Sequence, residues 1–262
     1  MRWDLFAVLM LLPWAATFGG SLMAARIGLG SAKRQGALLG FAAGIMIAAS
    51  VWSLIVPAFS DAGHDFKGTL VVTLGFLLGC AGMLGLDKLV PHQHMDEESP
   101  EGSPSHLSRP MLLVLAVALH NIPEGLALGV VIAAAMADAG MTWTAAIVFG
   151  LGLALQNFPE GMAVVLPLRQ SGSTKKRCAW WGFWASLAEP VSALLGVALT
   201  SALNTLGGVV MPVLLSIAAG AMIFIVVEEL IPESQAGGHG HGATYGFLIG
   251  FWMMAVLGIL GG

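Results

Sequence analysis

Two short stretches of this chain place chemically capable side chains at matched spacing. Ala118-Leu119-His120-Asn121-Ile122-Pro123-Glu124-Gly125 recurs 36 residues later as Ala154-Leu155-Gln156-Asn157-Phe158-Pro159-Glu160-Gly161, with six of the eight positions identical. Residues four apart share a helical face, so His120 stacks with Glu124 and Gln156 with Glu160. Asn121 and Asn157 lie about 100° round the helix and can reach a neighbouring one. Pro123 and Pro159 lack the N–H that would bond the carbonyls of Leu119 and Leu155, which leaves backbone oxygen free one turn back. Gly125 and Gly161 let another helix come close. Glu189, followed by Pro190, adds a third carboxylate. One imidazole, three carboxylates, side-chain amides and a thioether would form a mixed nitrogen–oxygen site for a borderline divalent ion such as Zn²⁺, Fe²⁺, Mn²⁺ or Cd²⁺. Ca²⁺ and Mg²⁺ prefer all-oxygen sites and would not favour the histidine.

The elements that carry these residues are apolar. Only 10 % of the 262 residues are charged while 57 % are hydrophobic and 35 are Gly, and mean hydropathy is +0.85. Soluble domains carry about 25 % charge, so the solvent for most of this surface is lipid. A crossing helix needs about 20 mainly apolar residues. Eight segments qualify, roughly 5–25, 36–59, 69–90, 111–137, 142–168, 179–203, 208–232 and 243–261. Period-2 alternation is absent from them, which excludes a β-barrel. The first segment follows Arg2 but runs on to Ala25 without a small-residue cleavage site, so it reads as a helix rather than a signal peptide.

Positive residues gather in short cytoplasmic loops. With the N-terminus outside, Arg26, Lys33, Arg34, Lys88, Arg109, Arg169, Lys175, Lys176 and Arg177 fall inside, and only Arg2 and Lys67 outside. The expected topology is therefore N-out and C-out. On it, Glu124, Glu160 and Glu189 lie near the middle of spans four, five and six. A charge at that depth costs about 2.5–3.5 kcal/mol on insertion scales, so the three should face each other or a ligand. Spans four and five run in opposite directions, and an approximate two-fold axis in the membrane plane would relate the two motif copies, as in the inverted repeats of secondary transporters. A polar clamp of protonated glutamates between helices accounts poorly for two matching copies plus Glu189.

The longest polar insert, about 91–109, lies inside and holds His92, His94, His106, Asp96, Glu97 and Glu98; a second inner loop holds His239 and His241. Each reads equally as a transient metal holder or as a solvated linker. Outside, Asp61, His64 and Asp65 could attract cations or simply be solvated. Cys80 and Cys178 sit in apolar stretches without CxxC spacing and read as buried apolar residues. Trp3, Trp143, Trp180 and Trp181 near span ends read as interfacial anchors. A net charge of −4, scattered along the chain, gives no reason to expect nucleic acid as a partner.

The sequences His120-Asn-Ile-Pro-Glu-Gly125, Gln156-Asn-Phe-Pro-Glu-Gly161 and Glu189-Pro190 resemble the metal-binding helices of the ZIP (Zrt/Irt-like) divalent-metal transporters, in particular the bacterial GufA-like branch. The eight spans, the outer termini and the His-bearing loop match as well, so the resemblance covers essentially the whole chain. It implies one all-α integral-membrane domain over 1–262, with inverted-repeat symmetry around central helices four and five and a binuclear site midway across. By matching motif, one metal would be held by His120, Glu124, Gln156, Glu160 and Glu189 with Met46 adding sulfur. The second would use Asn121 and Asn157 with bridging glutamates. Many relatives have Asp at the place of Asn157, so here the second site has one negative charge fewer. Glu228 and Glu229 near Pro232 resemble the family's cytoplasmic-side exit residues, with Asp87 as partner; several relatives carry His at the place of Glu228, and solvated interfacial carboxylates are an equal reading of all three.

The expected function is uptake of a divalent transition metal, foremost Zn²⁺, across the bacterial inner membrane into the cytoplasm by alternating access. The metal would be substrate, and no prosthetic group is expected. Partners would be the ions and the bilayer; a homodimer stays open, because apolar surface alone does not separate a dimer face from a lipid face. Two other classes compete. An intramembrane zinc metalloenzyme would want an HExxH pair or a general base apart from the ligands, and neither is seen. A transporter of organic molecules would want a roomy aromatic cavity, whereas the motifs offer only Phe158.

Overall fold

Gly63 and Asp65 show how this sequence ends one helix and starts the next. Gly63 takes φ +87°, a conformation that favours glycine, and two residues on the Asp65 carboxylate accepts from the Gly68 N–H at 2.7 Å, capping the helix that follows. The computed structural model of the chain describes residues 2–27, 32–92, 102–137, 141–203, 208–236 and 241–261. Among them, eight helices are long and apolar enough to cross a membrane: α1 (Trp3–Ile27), α2 (Lys33–Ala62), α3 (Phe66–Leu89), α4 (Val114–Met136), α5 (Trp143–Gln170), α6 (Lys175–Leu203), α7 (Val210–Gln235) and α8 (Gly242–Leu260). No strand occurs among the described residues. The all-α, eight-span expectation holds, and the spans coincide with those read from hydropathy to within a few residues.

Three helices depart from regular α geometry. In α2 a π-helical turn over Ser50–Ile55 precedes Pro57, and in α7 one over Val226–Leu230 precedes Pro232. A proline ring crowds the carbonyl four residues back, and a widened turn relieves it; π turns also gather at functional sites. The two turns also mark a second repeat. Ala42-Ala43-Gly44-Ile45-Met46 in α2 matches Ala218-Ala219-Gly220-Ala221-Met222 in α7, and both helices go on to a Leu-Ile segment just ahead of the proline. The third departure is in α6, which breaks between Ser186 and Ala188. There the Leu187 N–H is shared by the carbonyls of Phe183 and Trp184, at 3.1 and 3.3 Å. In contrast, α4 and α5 stay α-helical through Pro123 and Pro159.

The helices pack as two groups of four. In one, α1 lies on α5 and α4 on α6, with α4 against α5; in the other, α2 lies on α8 and α3 on α7. Within each group the backbones touch. A methyl added at Gly161 would collide with the carbonyl of Thr17, and one at Gly125 with that of Glu189. Gly44 and Gly220 do the same against Phe247 and Phe76 in the second group. The groups meet along α2–α5 and α4–α7. At this seam Gly152 of α5 faces the side chains of Met254 and Ile45 rather than backbone. Backbone contact locks helices closely, so each group is tightly joined inside and more loosely joined to the other.

Candidate metal centre

The four helices of the first group converge on the paired motif. Gln156 and Asn157 on α5 are the donors that organise it. The Gln156 side-chain amide donates to Glu124 Oε1 on α4 at 2.8 Å, and the Asn157 amide donates to Glu189 Oε2 on α6 at 2.8 Å. Each copy of the motif thus reaches a carboxylate on a neighbouring helix. On α4 the Asn121 amide donates to the Ala185 carbonyl at 3.1 Å, just ahead of the break in α6. Ser192 spans the Ala188 carbonyl at 2.8 Å and that of Asn121 at 3.3 Å, tying α6 to α4. The break puts Glu189 in the first turn of the second half of α6, where the positive end of the helix dipole favours a carboxylate.

His120, Asn121, Glu124, Gln156, Asn157, Glu160 and Glu189 are all buried, none more than 4 % exposed. Amide donors satisfy only part of this set. Glu124 Oε2, Glu189 Oε1, both oxygens of Glu160 and the amide oxygens of Asn121, Gln156 and Asn157 are buried with no hydrogen-bond partner. An unpaired buried acceptor costs about 1–3 kcal/mol, more when charged. Here seven cluster on three neighbouring helices with no donor turned toward them. Glu160 lies within electrostatic reach of Glu124, Glu189 and His120. Crowded carboxylate and amide oxygens are what a cation satisfies, and a protein of this composition otherwise avoids burying them.

The remaining nominated residues fall into three places. Met46 is buried in α2, the helix that meets α5 across the seam, and its carbonyl accepts from Ser50 at 2.8 Å. Of the adjacent pair on α7, Glu229 is buried and contacts the His120 ring Nε2, whereas Glu228 is exposed. Asp87 at the end of α3 is joined to the His92 ring Nε2 at 2.9 Å. His92 is 1 % exposed, with its Nδ1 2.7 Å from the Val90 carbonyl, so it is packed structure rather than solvated linker. Three or more His, Cys, Asp or Glu side chains do not converge into one ready-made ligand cage among the described residues. Glu124 and Glu189 are each engaged by an amide and Glu229 by an imidazole, whereas Glu160 has neither oxygen paired. His94, Asp96, Glu97, Glu98 and His239 lie outside the described residues; His64, His106 and His241 show no contact with the paired-motif cluster among the described residues.

Two contributors escaped the sequence reading. Ser192 gave no signal apart from its place one turn after Glu189. Glu233, within electrostatic reach of His120 and Glu160, follows Pro232 and stands four residues after Glu229, a spacing that could have drawn attention to it.

Comparison with known proteins adds to this geometry. The sequence profile of the family described as ZIP Zinc transporter matches residues 88–258. The chain is 41 % identical over 255 residues to Zinc transporter ZIPB of Bordetella bronchiseptica, covering 93 % of this chain and 77 % of that protein. It is 36 % identical to Zinc transporter GufA of Myxococcus xanthus, covering 87 % of each. It is 29 % identical to Zinc transporter ZIP11 of Homo sapiens, covering 94 % of each.

Proposed function

The chain belongs to the ZIP family of zinc transporters, and on that premise we propose that it carries Zn²⁺ across the bacterial inner membrane into the cytoplasm through the buried carboxylate–amide cluster of α4, α5 and α6. It is a multi-pass membrane transporter of divalent metal, with zinc as substrate rather than prosthetic group. The observation that carries the site assignment is the group of seven buried, unpartnered oxygens on motif residues, flanked by the His120 imidazole. The intramembrane-enzyme reading finds no support, since the relatives are named as transporters.

In the proposed cycle, zinc arriving from the outside exchanges water for His120, Glu124, Gln156, Glu160 and Glu189, with Met46 supplying sulfur from α2. A second ion uses Asn121 and Asn157 with glutamates shared between the two. Binding draws the amide-pinned carboxylates off their amide donors and onto the ion, which completes a ligand set that the pairs only approach. The His120–Glu229 contact then offers the way inward, because Glu229 can take up an ion as the imidazole lets it go. Asp87 with His92 at the end of α3, and the exposed Glu228 on α7, would be later stops toward the inner face. The packing supports alternating access, in which the first four-helix group carries the site and shifts against the second along the side-chain seam. The matched motif copies, the α2–α7 repeat and the pairing of α1 with α5 and of α4 with α6 support inverted-repeat symmetry around α4 and α5.

The test is uptake of radiolabelled zinc by proteoliposomes containing the pure protein, with unlabelled Fe²⁺, Mn²⁺, Cd²⁺ or Mg²⁺ as competitors. Saturable uptake that other transition metals inhibit and Mg²⁺ does not is the expected result. Protein that binds zinc tightly yet moves none would overturn the reading in favour of a sensor or an enzyme.

A further inference from the structure

Beside the metal-site helices lies a second concavity of opposite chemistry. It is a crevice of about 190 Å³ between α3 and α7 on one side and α4 and α6 on the other, so it straddles the seam of the two four-helix groups. Fifteen residues line it, and none has a polar side chain. Gly82 leaves open space there, Gly79 and Gly196 are points where the backbones of α7 and α4 come close, and Pro123, next to Glu124, forms part of the wall. Leu78 and Leu199 stand at the mouth, 60 % and 45 % exposed, whereas Met83 and Val130 deeper in are 2 % and 3 % exposed.

The lining and its depth identify the occupant. The crevice lies within the spans, where the surrounding solvent is the hydrocarbon of the bilayer. A cavity of about 150 Å³ lined by aliphatic side chains stays dry and takes up apolar molecules. With no polar side chain on its walls, this crevice is not built for a headgroup, a peptide or an ion. It also lacks aromatic side chains, which argues against a flat ring ligand. We propose that the crevice is a binding site for an unbranched hydrocarbon chain, the acyl tail of a bilayer lipid, lodged between the two four-helix groups against Pro123. Such a tail bears on the turn of α4 that places Glu124, and it must move or be squeezed when the groups shift. The binding claim rests on the membrane placement of the spans and not on the transport reading.

Gly82 makes the claim testable, because a side chain begun there meets no atom within 4 Å and Gly82→Leu fills the space without disturbing the backbone. The full chain is reconstituted with phosphatidylcholine carrying a diazirine midway along one acyl chain, irradiated, and the adducts are mapped by mass spectrometry. The expected result is labelling of buried Met83 and Val130 that Gly82→Leu abolishes, while exposed Leu248 and Ile249 of α8 are labelled equally in both proteins. In the unmodified protein, excess decane should remove the Met83 and Val130 adducts and spare those on Leu248 and Ile249; this arm decides the matter alone if the variant folds poorly. Adducts confined to exposed residues, or adducts at Met83 and Val130 that survive both decane and Gly82→Leu, would overturn the site. The readout is covalent labelling, so a protein that transports no zinc leaves this test intact.

Discussion

Gln156 and Asn157 show how a membrane protein can keep acidic residues buried. Each amide satisfies one oxygen of a carboxylate on another helix, which lowers the cost of burying it and leaves the other oxygen available as a ligand. The same scale separates the two neighbouring glutamates of α7. Glu229 meets His120, while Glu228 is exposed. Glu229→Gln should slow zinc uptake by about tenfold or more, the scale seen when a group that supports a metal ligand is lost, and Glu228→Gln should change it by no more than about twofold. Initial uptake rates at equal protein abundance check both, and equal effects of the two substitutions would contradict the placement. The i, i+4 rule put His120 with Glu124 and Gln156 with Glu160 on shared helical faces, yet it did not give their partners, which lie on other helices: His120 meets Glu229 and Gln156 donates to Glu124. It gave no way to choose between Glu228 and Glu229, which lie in a π turn where the angle per residue departs from the α-helical value. The burial of His92 was equally hidden: a histidine in a polar insert has no periodicity, and only packing against Asp87 and Val90 shows its place.

At the level of helices, glycine sets which pairs are fixed and which can shift. Gly161 has the carbonyl of Thr17 where a methyl would go, and backbone cannot step aside as a flexible side chain can. Gly161→Val should therefore destabilise the protein by at least the ~1–3 kcal/mol of ordinary overpacking, lowering its melting temperature in detergent. Gly85→Ala, where an added methyl meets nothing within 4 Å, should leave melting unchanged, and a variant at Gly161 that melts like the unmodified protein would refute the close contact. Hydropathy placed all eight helices, since each crossing demands its own apolar length. The interruptions were less visible. The proline at the end of each π turn was plain in the sequence, yet proline alone does not say whether a helix widens, as α2 and α7 do, or continues regularly, as α4 and α5 do. The break in α6 likewise depends on how Leu187 shares its N–H, which no composition rule foretells.

The whole molecule is two four-helix groups, with the paired-motif residues and Glu189 on one and Met46 and Glu229 on the other. Movement between them should be stopped by tying the seam. Cysteines introduced at Gly152 and Met254 occupy facing positions there, and replacing the Met254 thioether makes room for the new side chain. Oxidation or a short bifunctional reagent should abolish uptake by the double variant, and cleaving the link should restore it; undiminished uptake by fully cross-linked protein would show that the groups do not shift. The fold class was legible at this scale from composition alone, but the grouping was not, because pairing of α1 with α5 and of α4 with α6 depends on small-residue faces whose partners sequence does not name.

The central claim is that the paired motif carries the metal, and the most direct measurement compares zinc uptake by the unmodified protein with that of Glu124→Ala and Glu160→Ala in proteoliposomes at equal abundance, with folding verified by melting temperature. Loss of saturable zinc uptake in both folded variants is the predicted result. Uptake by folded Glu124→Ala indistinguishable from that of the unmodified protein would contradict the site and require the metal to cross elsewhere.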